Sequence, residues 1–165
     1  MKKTLITPAA TLIFTLMASA AMAAPTQERV LFSAGSYDVD TENTPMYGIE
    51  YRTDPVWYDL QPMIGIQGDT NGSLYTYAGL TYDWEFFNNW HIAPNVAAGM
   101  YRQHSSKDLG GKFQFRSGIE LGYDLPNEHR LGIAFHHLSN AGMYGKNPGV
   151  EQFMVTYSVP VNVIP

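Results

Sequence analysis

The sequence predicts an all-β protein, namely an eight-stranded antiparallel transmembrane β-barrel of the bacterial outer membrane. Apolar and polar residues alternate with a period of two along most of the chain, whereas helical periodicity is scarce. Short turns alternate with longer polar loops, which is typical of outer-membrane barrels. The first residues resemble a secretory signal, as an exported protein requires.

The N-terminal segment carries the features of a signal peptide. Lys2 and Lys3 provide positive charge, "LIFTLMASAA" provides an apolar core, and Ala21-Met22-Ala23 fits a cleavage site. We therefore predict a signal peptide at residues 1–23 and a barrel domain at residues 24–165. The alternative is an uncleaved anchor, but the apolar run is shorter than the roughly 20 residues that a spanning helix needs.

The composition argues against some classes of protein and favours a membrane protein. The chain has no cysteine, so the sequence offers no disulfide, and its net charge of −5 argues against a nucleic-acid partner. Aromatic residues make up 13% of the 165 residues, with 11 tyrosines. Such amphipathic rings favour membrane–water interfaces, which again indicates a membrane protein.

The alternation predicts where the eight strands lie. Polar connectors separate them, short at "TDPV", "FFNN" and "LPNE" and mostly longer at "DVDTENTP", "QGDTNGS", "HSSKDLGG" and "NAGMYGKNPG". An even number of strands brings both termini to the short-turn, periplasmic side. The predicted strands cover approximately residues 28–39, 45–53, 56–67, 73–86, 89–103, 112–125, 128–139 and 150–160.

The two faces of each predicted strand differ in polarity. In three strands, aliphatic and aromatic residues share one face, while charged, amide, hydroxyl and tyrosine side chains share the other. This pattern favours a polar interior and a lipid-facing exterior, whereas a soluble barrel would tend to have an apolar cavity and a polar outside. The predicted interior set includes Asp59, Gln61, Gln67, Tyr75, Tyr77, Thr81, Asp83, Glu85, Lys112, Gln114, Arg116, Glu120 and Asp124.

A histidine, a serine and a carboxylate lie near the ends of the last two strands. His137 and Ser139 share the apolar face of the seventh strand, and Glu151 occupies that face of the eighth. Antiparallel pairing would set Glu151 beside His137, on the outside of the barrel at its extracellular end. Ser139 could act as nucleophile, His137 as general base and Glu151 as the group that orients the imidazole. The alternative is that the three are ordinary polar residues at the membrane boundary, without a catalytic role.

The segment "HLSNAG" from His137 to Gly142, followed by Asn147 and Glu151, resembles the lipid A 3-O-deacylase family, PagL. The resemblance implies an eight-stranded outer-membrane barrel with a Ser-His-Glu triad on its outer surface, in the extracellular leaflet. It implies hydrolysis of the 3-linked hydroxyacyl ester of lipid A in lipopolysaccharide, with outer-membrane lipids as neighbours. No metal-ligand cluster is evident in the sequence, and the mechanism needs no cofactor or metal.

The family resemblance also implies an oxyanion site formed by Asn140, the amide of Gly142 and Asn147. Plain turn chemistry is the alternative for all three, because Asn and Gly tolerate left-handed backbone. His136 is expected to point into the barrel, and His104 to lie in a solvated loop. Two other functions stay open at this point, an acyltransferase that passes the chain to another lipid and a non-catalytic structural or adhesion barrel.

Overall fold

The structure is a computed structural model that describes residues 28–41 and 43–161. The predicted signal peptide at residues 1–23 lies outside the described residues. None of the helical turns in this part of the chain has the length and apolar character of a membrane-crossing helix. The described residues form nine strands: β1 (Arg29–Tyr37), β2 (Thr44–Arg52), β3 (Leu60–Asp69), β4 (Leu74–Tyr82), β5 (Trp84–Phe87), β6 (Trp90–Arg102), β7 (Phe113–Asp124), β8 (Arg130–Ser139) and β9 (Val150–Pro160).

The strands close into an antiparallel barrel. Each strand pairs with its neighbours along the chain, except that β4 pairs with β6 and not with β5, and β1 pairs with β9 to close the sheet. β4 and β5 follow each other on either side of Asp83, and both pair with β6. They therefore count as one interrupted strand of the barrel wall. Counted in this way the barrel has eight strands, and the predicted fold class is confirmed.

The third strand begins later than the sequence indicates. The alternation favours a start near residue 56, but β3 begins at Leu60. Tyr58 and Asp59 adopt positive φ angles of 46° and 60°, and the Leu60 amide donates to the Trp57 carbonyl at 2.9 Å. A tight turn therefore occupies this segment, and the apolar side chains that extend the period-two pattern belong to the turn.

Paired charges fill the barrel interior. Arg52 contacts Glu50 at 2.7 Å and Glu120 at 2.6 Å, and Arg116 contacts Glu50 at 2.8 Å. All four side chains are buried. Buried charges are tolerated when they are paired and hydrogen-bonded, so the ion network explains how a polar lumen remains stable. The predicted polar interior is therefore correct.

The outer wall is apolar. Its exposed side chains include Ile64, Val96, Ile119, Leu131, Ile133 and Val155. Two residues expected inside are instead exposed. Lys112 precedes the start of β7, and Glu85 lies in β5, where all four residues are exposed, so neither is enclosed by the wall.

The two longest loops lie at one end of the barrel, between β6 and β7 (residues 103–112, hereafter loop L3) and between β8 and β9 (residues 140–149, hereafter loop L4). The connections from β1 to β2 and from β3 to β4 lie at the same end. Arg29 pairs with Pro160, so both ends of the described chain lie at the opposite, short-turn end. Long loops mark the extracellular side of outer-membrane barrels, and this orientation puts L3 and L4 outside.

Candidate active site

The register of β8 and β9 brings His137 and Glu151 together. They are directly opposed in the ladder, as the sequence predicts. His137 Nδ1 lies 2.6 Å from Glu151 Oε1. When Glu151 is ionised it can only accept this hydrogen bond, so Nδ1 donates it, and a neutral imidazole then keeps its lone pair on Nε2. The arrangement gives a histidine that can accept a proton on the outer wall.

The two side chains are only partly shielded from solvent. His137 is 45% exposed and Glu151 is 28% exposed. They lie on the outward face, in line with Ile133 and Phe135 of β8. The pair therefore lies at the boundary between the apolar band and the extracellular loops, where water and lipid both have access.

Ser139 is the last residue of β8 and is half-buried on the same face, two residues beyond His137. It stands opposite Phe115 of β7. Within residues 28–41 and 43–161, no hydrogen bond joins the Ser139 hydroxyl to His137. Catalytic hydrogen bonds often tighten only when substrate is bound, so this geometry leaves Ser139 a candidate.

A second serine, which the sequence interpretation missed, lies beside the histidine. Ser117 of β7 is exposed and directly opposes His137 in the ladder. Ser117, His137 and Glu151 therefore form one row across three strands. The signal was available in the sequence, because Ser117 shares the outward period of Phe115 and Ile119.

Gly149 packs against the His137 ring and was also missed. Its φ is +65°, and a Cβ built there would lie 2.9 Å from His137 Cε1 and 3.5 Å from Nε2. A side chain would therefore press on the edge of the imidazole that carries the lone pair. The only sequence signal was a glycine between Pro148 and the start of a strand.

A tight turn follows Ser139 directly. The Met143 amide donates to the Asn140 carbonyl at 3.0 Å, and the central residues Ala141 and Gly142 have φ angles of 53° and 76°. Positive φ at both positions is the signature of a type I′ turn. The Gly142 amide donates to Asn140 Oδ1 at 2.9 Å, so that proton already has a partner in the free protein.

Asn140 ties loop L4 to loop L3. Its side chain is fully buried, and Nδ2 donates at 2.7 Å both to the Leu109 carbonyl and to the Lys146 carbonyl. Both amide protons and the oxygen are therefore occupied within the protein. This bonding gives Asn140 a supporting role in the loop.

The side-chain amide of Asn147 is held by a hydrogen bond to its oxygen, while its nitrogen has no acceptor among the described residues. Its Oδ1 accepts a hydrogen bond from the backbone N–H of Asn140 at 3.0 Å, and the residue is exposed. Because the oxygen is fixed, the orientation of Nδ2 is also fixed. Across the part of the chain that the structure describes, no acceptor bonds this Nδ2, so it is available to a ligand.

Loop L3 supports loop L4 along its length. Lys146 bonds Asp108 at 2.9 Å. The Lys146 ammonium and the Gly110 amide hold the pKa of the exposed Asp108 carboxyl below its usual range. Gly110 lies against the Lys146 carbonyl and Gly111 against the Tyr144 ring, with no room for a side chain at either glycine.

The other two histidines discussed above are placed as expected. His136 is buried on the inward face of β8. His104 lies exposed in L3, with Nδ1 3.1 Å from the Asn71 carbonyl. No three His, Cys, Asp or Glu side chains converge as metal ligands within the described ranges.

Comparison with known proteins points to one family. The family model described as "Lipid A 3-O-deacylase (PagL)" matches residues 38–160. A Bordetella bronchiseptica protein named lipid A deacylase PagL is 26% identical over 162 residues, covering 87% of this chain and 89% of that protein. The Pseudomonas aeruginosa protein of the same name is 30% identical over 66 residues, covering 40% of this chain and 38% of its own length.

A solved structure shares the fold. The crystal structure of the outer membrane enzyme PagL superposes with a TM-score of 0.64 at 19% identity, covering 81% of this chain and 99% of that one. At this level of identity the likeness concerns the barrel architecture. The family model carries the assignment, since residues 38–160 are well over half of the sequence. On that match, the chain belongs to the lipid A 3-O-deacylase (PagL) family.

Proposed function

We propose that the chain removes the 3-linked hydroxyacyl group of lipid A with Ser139 as nucleophile, His137 as general base and Glu151 as the orienting carboxylate. Membership in the family makes the protein an outer-membrane ester hydrolase that acts on lipid A. The observation that supports the triad most strongly is the 2.6 Å contact between His137 Nδ1 and Glu151 Oε1 on the outer wall.

The proposed chemistry has two stages. Ser139 Oγ attacks the ester carbonyl while His137 Nε2 takes its proton, and Glu151 stabilises the resulting imidazolium. Collapse of the tetrahedral intermediate breaks the bond to the sugar oxygen, which receives the proton from His137. A water molecule then attacks the acyl-serine with His137 as base again, and the hydroxy fatty acid leaves as Ser139 regains its proton.

Ser139 is favoured over Ser117 because of what surrounds it. A nucleophile must reach both the base and the donors that stabilise the oxyanion. Ser139 leads directly into loop L4, where Asn147 Nδ2 has no acceptor within residues 28–41 and 43–161. Ser117 lies in β7, on the side of β8 away from β9.

Donors in loop L4 would stabilise the oxyanion. Asn147 Nδ2 is the strongest candidate, because its amide is oriented by Asn140 and the nitrogen is unoccupied among the described residues. The Gly142 amide would have to share its proton with Asn140 Oδ1. Asn140 would contribute by holding the turn rather than by touching the substrate.

The surface around the triad suits a lipid chain. Phe115, Phe135 and Phe153 are exposed on the outer wall, with Phe135 directly opposite Phe153 and Phe115 opposite Ser139. The substrate is itself a membrane lipid whose esters lie close to the headgroups. A triad at the extracellular end of the apolar band meets those esters without extracting the lipid from the membrane.

The decisive experiment incubates purified protein with lipid A and identifies both products by mass spectrometry. We expect loss of one hydroxyacyl chain and an equal amount of free hydroxy fatty acid. An acyl group found on another lipid would indicate an acyltransferase, and unchanged lipid A would indicate a non-catalytic barrel.

A matched pair of serine variants tests which serine is the nucleophile. We expect Ser139→Ala to abolish turnover while Ser117→Ala keeps most of it, because only Ser139 adjoins the L4 donors. The opposite result would transfer the nucleophilic role to Ser117.

A further inference from the structure

Two cations among the described residues have no side-chain partner. Among the described residues, Arg102 and Lys112 are the lysine and arginine side chains that make neither an ion pair nor a side-chain hydrogen bond. The other cations all have such partners, through carboxylates, a serine hydroxyl or a backbone carbonyl: Arg29, Arg52, Lys107, Arg116, Arg130 and Lys146. Arg102 and Lys112 are therefore the side chains with positive charge to offer a ligand.

Both cations line the same groove. It has a volume of about 540 Å³ and lies where the extracellular ends of β4 and β6 meet loop L3. Leu74, Met100 and Leu109 provide apolar lining. Arg102 follows the exposed Met100 on the outward face of β6, so the groove opens on the outer wall at the level of the loops.

The groove has a positive electrostatic balance. Asp108 also lines it, but this carboxylate is bonded to Lys146 at 2.9 Å. The negative charge of Asp108 is therefore neutralised by Lys146, which does not line the groove. No carboxylate among the described residues neutralises Arg102 or Lys112. A cationic rim over an apolar floor at a membrane boundary fits an anionic lipid headgroup.

We propose that Arg102 and Lys112 form a subsite that binds a phosphate of the lipid A molecule whose ester lies at Ser139. This inference rests on the proposed function. Lipid A is a phosphorylated, acylated disaccharide, so its headgroup carries the negative charge that the groove lacks. Arg102 offers a planar fork of N–H donors and Lys112 a point charge, and both are common phosphate ligands.

The register sets the subsite at a suitable distance from the nucleophile. Ser139 pairs with Phe115, and Phe115 pairs with Ala98. Lys112 thus lies one strand across and three residues further out, roughly 11 Å from Ser139 along the wall. Arg102 lies two strands across and four residues further out, roughly 16 Å away. These separations match the scale of a disaccharide headgroup.

The test compares two substrates in nonionic detergent, where lipid A is the only anionic lipid. One is lipid A with its phosphates, and the other is the same lipid after enzymatic removal of the phosphates. Arg102→Gln, Lys112→Gln and the double variant are compared with the wild type. Lys107→Gln is the matched control, because it removes a charge from L3 that pairs with Asp38 and does not line the groove.

On the phosphorylated lipid we expect each single variant to raise KM about fivefold and the double variant roughly 30-fold, with kcat nearly unchanged. On the dephosphorylated lipid the wild type should already show the raised KM, and the variants should add nothing. Arg102→Lys should recover part of the affinity, and Lys107→Gln should match the wild type on each lipid, with the same rise in KM when the phosphates are removed.

Equal losses on both lipids, or no loss on either, would overturn the subsite while leaving deacylation intact. An unreactive wild type on both lipids would instead overturn the proposed function and the subsite with it. Heat-modifiable gel migration verifies that each variant is folded.

Discussion

His137 and Glu151 face each other across β8 and β9, with His137 Nδ1 2.6 Å from Glu151 Oε1 on the outer surface of the barrel. The carboxylate fixes the tautomer that leaves Nε2 free to accept a proton. The pair is partly exposed, at 45% and 28%. Water therefore screens the field of Glu151 more than in a triad buried in a protein core.

Replacing Glu151 should lower turnover by an intermediate factor. We expect Glu151→Ala to reduce kcat by roughly 10²–10³, less than the 10⁴ that an amide in place of the carboxylate costs in a buried triad. The side-chain carbonyl of Gln in Glu151→Gln can still accept a hydrogen bond from His137 Nδ1, so this variant should retain at least as much activity as the alanine variant. The measurement is lipid A hydrolysis in detergent with gel migration as the folding control. Wild-type turnover in folded Glu151→Ala would leave only a His137–Ser139 dyad.

The adjacent histidines provide a test of the face assignment. His137→Ala should lose several orders of magnitude in kcat, because the general base is gone. His136→Ala should keep most activity, because His136 points into the lumen and its Nδ1 has no hydrogen-bond partner to lose in the described part of the chain. The rates are compared on lipid A, with identical gel migration required of both variants. An equally deep loss in folded His136→Ala would show that the interior participates.

The strands and their faces could be predicted because a barrel wall has only two environments. Every residue of β7 and β8 faces either lumen or lipid, so the period of two reports the side directly. The same rule put Glu151 beside His137 once antiparallel pairing of neighbours was assumed. Local sequence was sufficient here because the contact follows from adjacency along the chain.

The support of loop L4 could not be predicted in this way. Asn140 bonds the Leu109 carbonyl at 2.7 Å, and Lys146 bonds Asp108, across more than 30 residues of chain. Neither loop has a period, and a backbone carbonyl carries no sequence signal. Loop L3 was therefore interpreted only as a polar connector, although it holds the turn that follows Ser139.

Two asparagines in L4 should differ in what they affect. Asn147→Ala removes an unoccupied donor, so we expect kcat to fall by roughly 10–10² with little change in stability. Asn140→Ala removes hydrogen bonds to Leu109, Gly142 and Lys146, so it should lower kcat and also increase amide exchange in L3 and L4. Kinetics and hydrogen–deuterium exchange are measured on both proteins. Unchanged kcat in Asn147→Ala would exclude Asn147 from the oxyanion site.

The interior network should affect stability but not chemistry. Arg116→Met removes a 2.8 Å contact with Glu50 and a cation that lies 4.0 Å over the Tyr77 ring. We expect the free energy of unfolding to fall by about 3 kcal/mol, because a buried charge loses one of its partners. Urea unfolding in phospholipid vesicles measures this loss, and kcat should stay near wild type. A large drop in kcat at full folding would mean that the lumen is coupled to the triad.

Three glycines in L4 separate backbone strain from crowding of the imidazole. Gly149 has a φ of +65° and lies against His137, Gly142 has a φ of +76° with nothing within 4 Å of a built Cβ, and Gly145 has neither constraint. Alanine at 145 should therefore change nothing. Alanine at 142 should cost about 1 kcal/mol of stability through its left-handed backbone, with a small loss of activity.

Gly149→Ala should add a specific catalytic defect to the backbone strain. Its Cβ would lie 2.9 Å from His137 Cε1, so the ring must shift by a few tenths of an ångström. Small displacements of a catalytic base cost far more in rate than in binding, so we expect kcat to fall by roughly 10–10² with KM nearly unchanged. The nitrogen chemical shifts of the His137 imidazole should change in Gly149→Ala but not in Gly142→Ala. If Gly142→Ala and Gly149→Ala lost activity equally with unchanged His137 shifts, loop strain alone would explain the defect, and the contact between Gly149 and the ring would have no catalytic role.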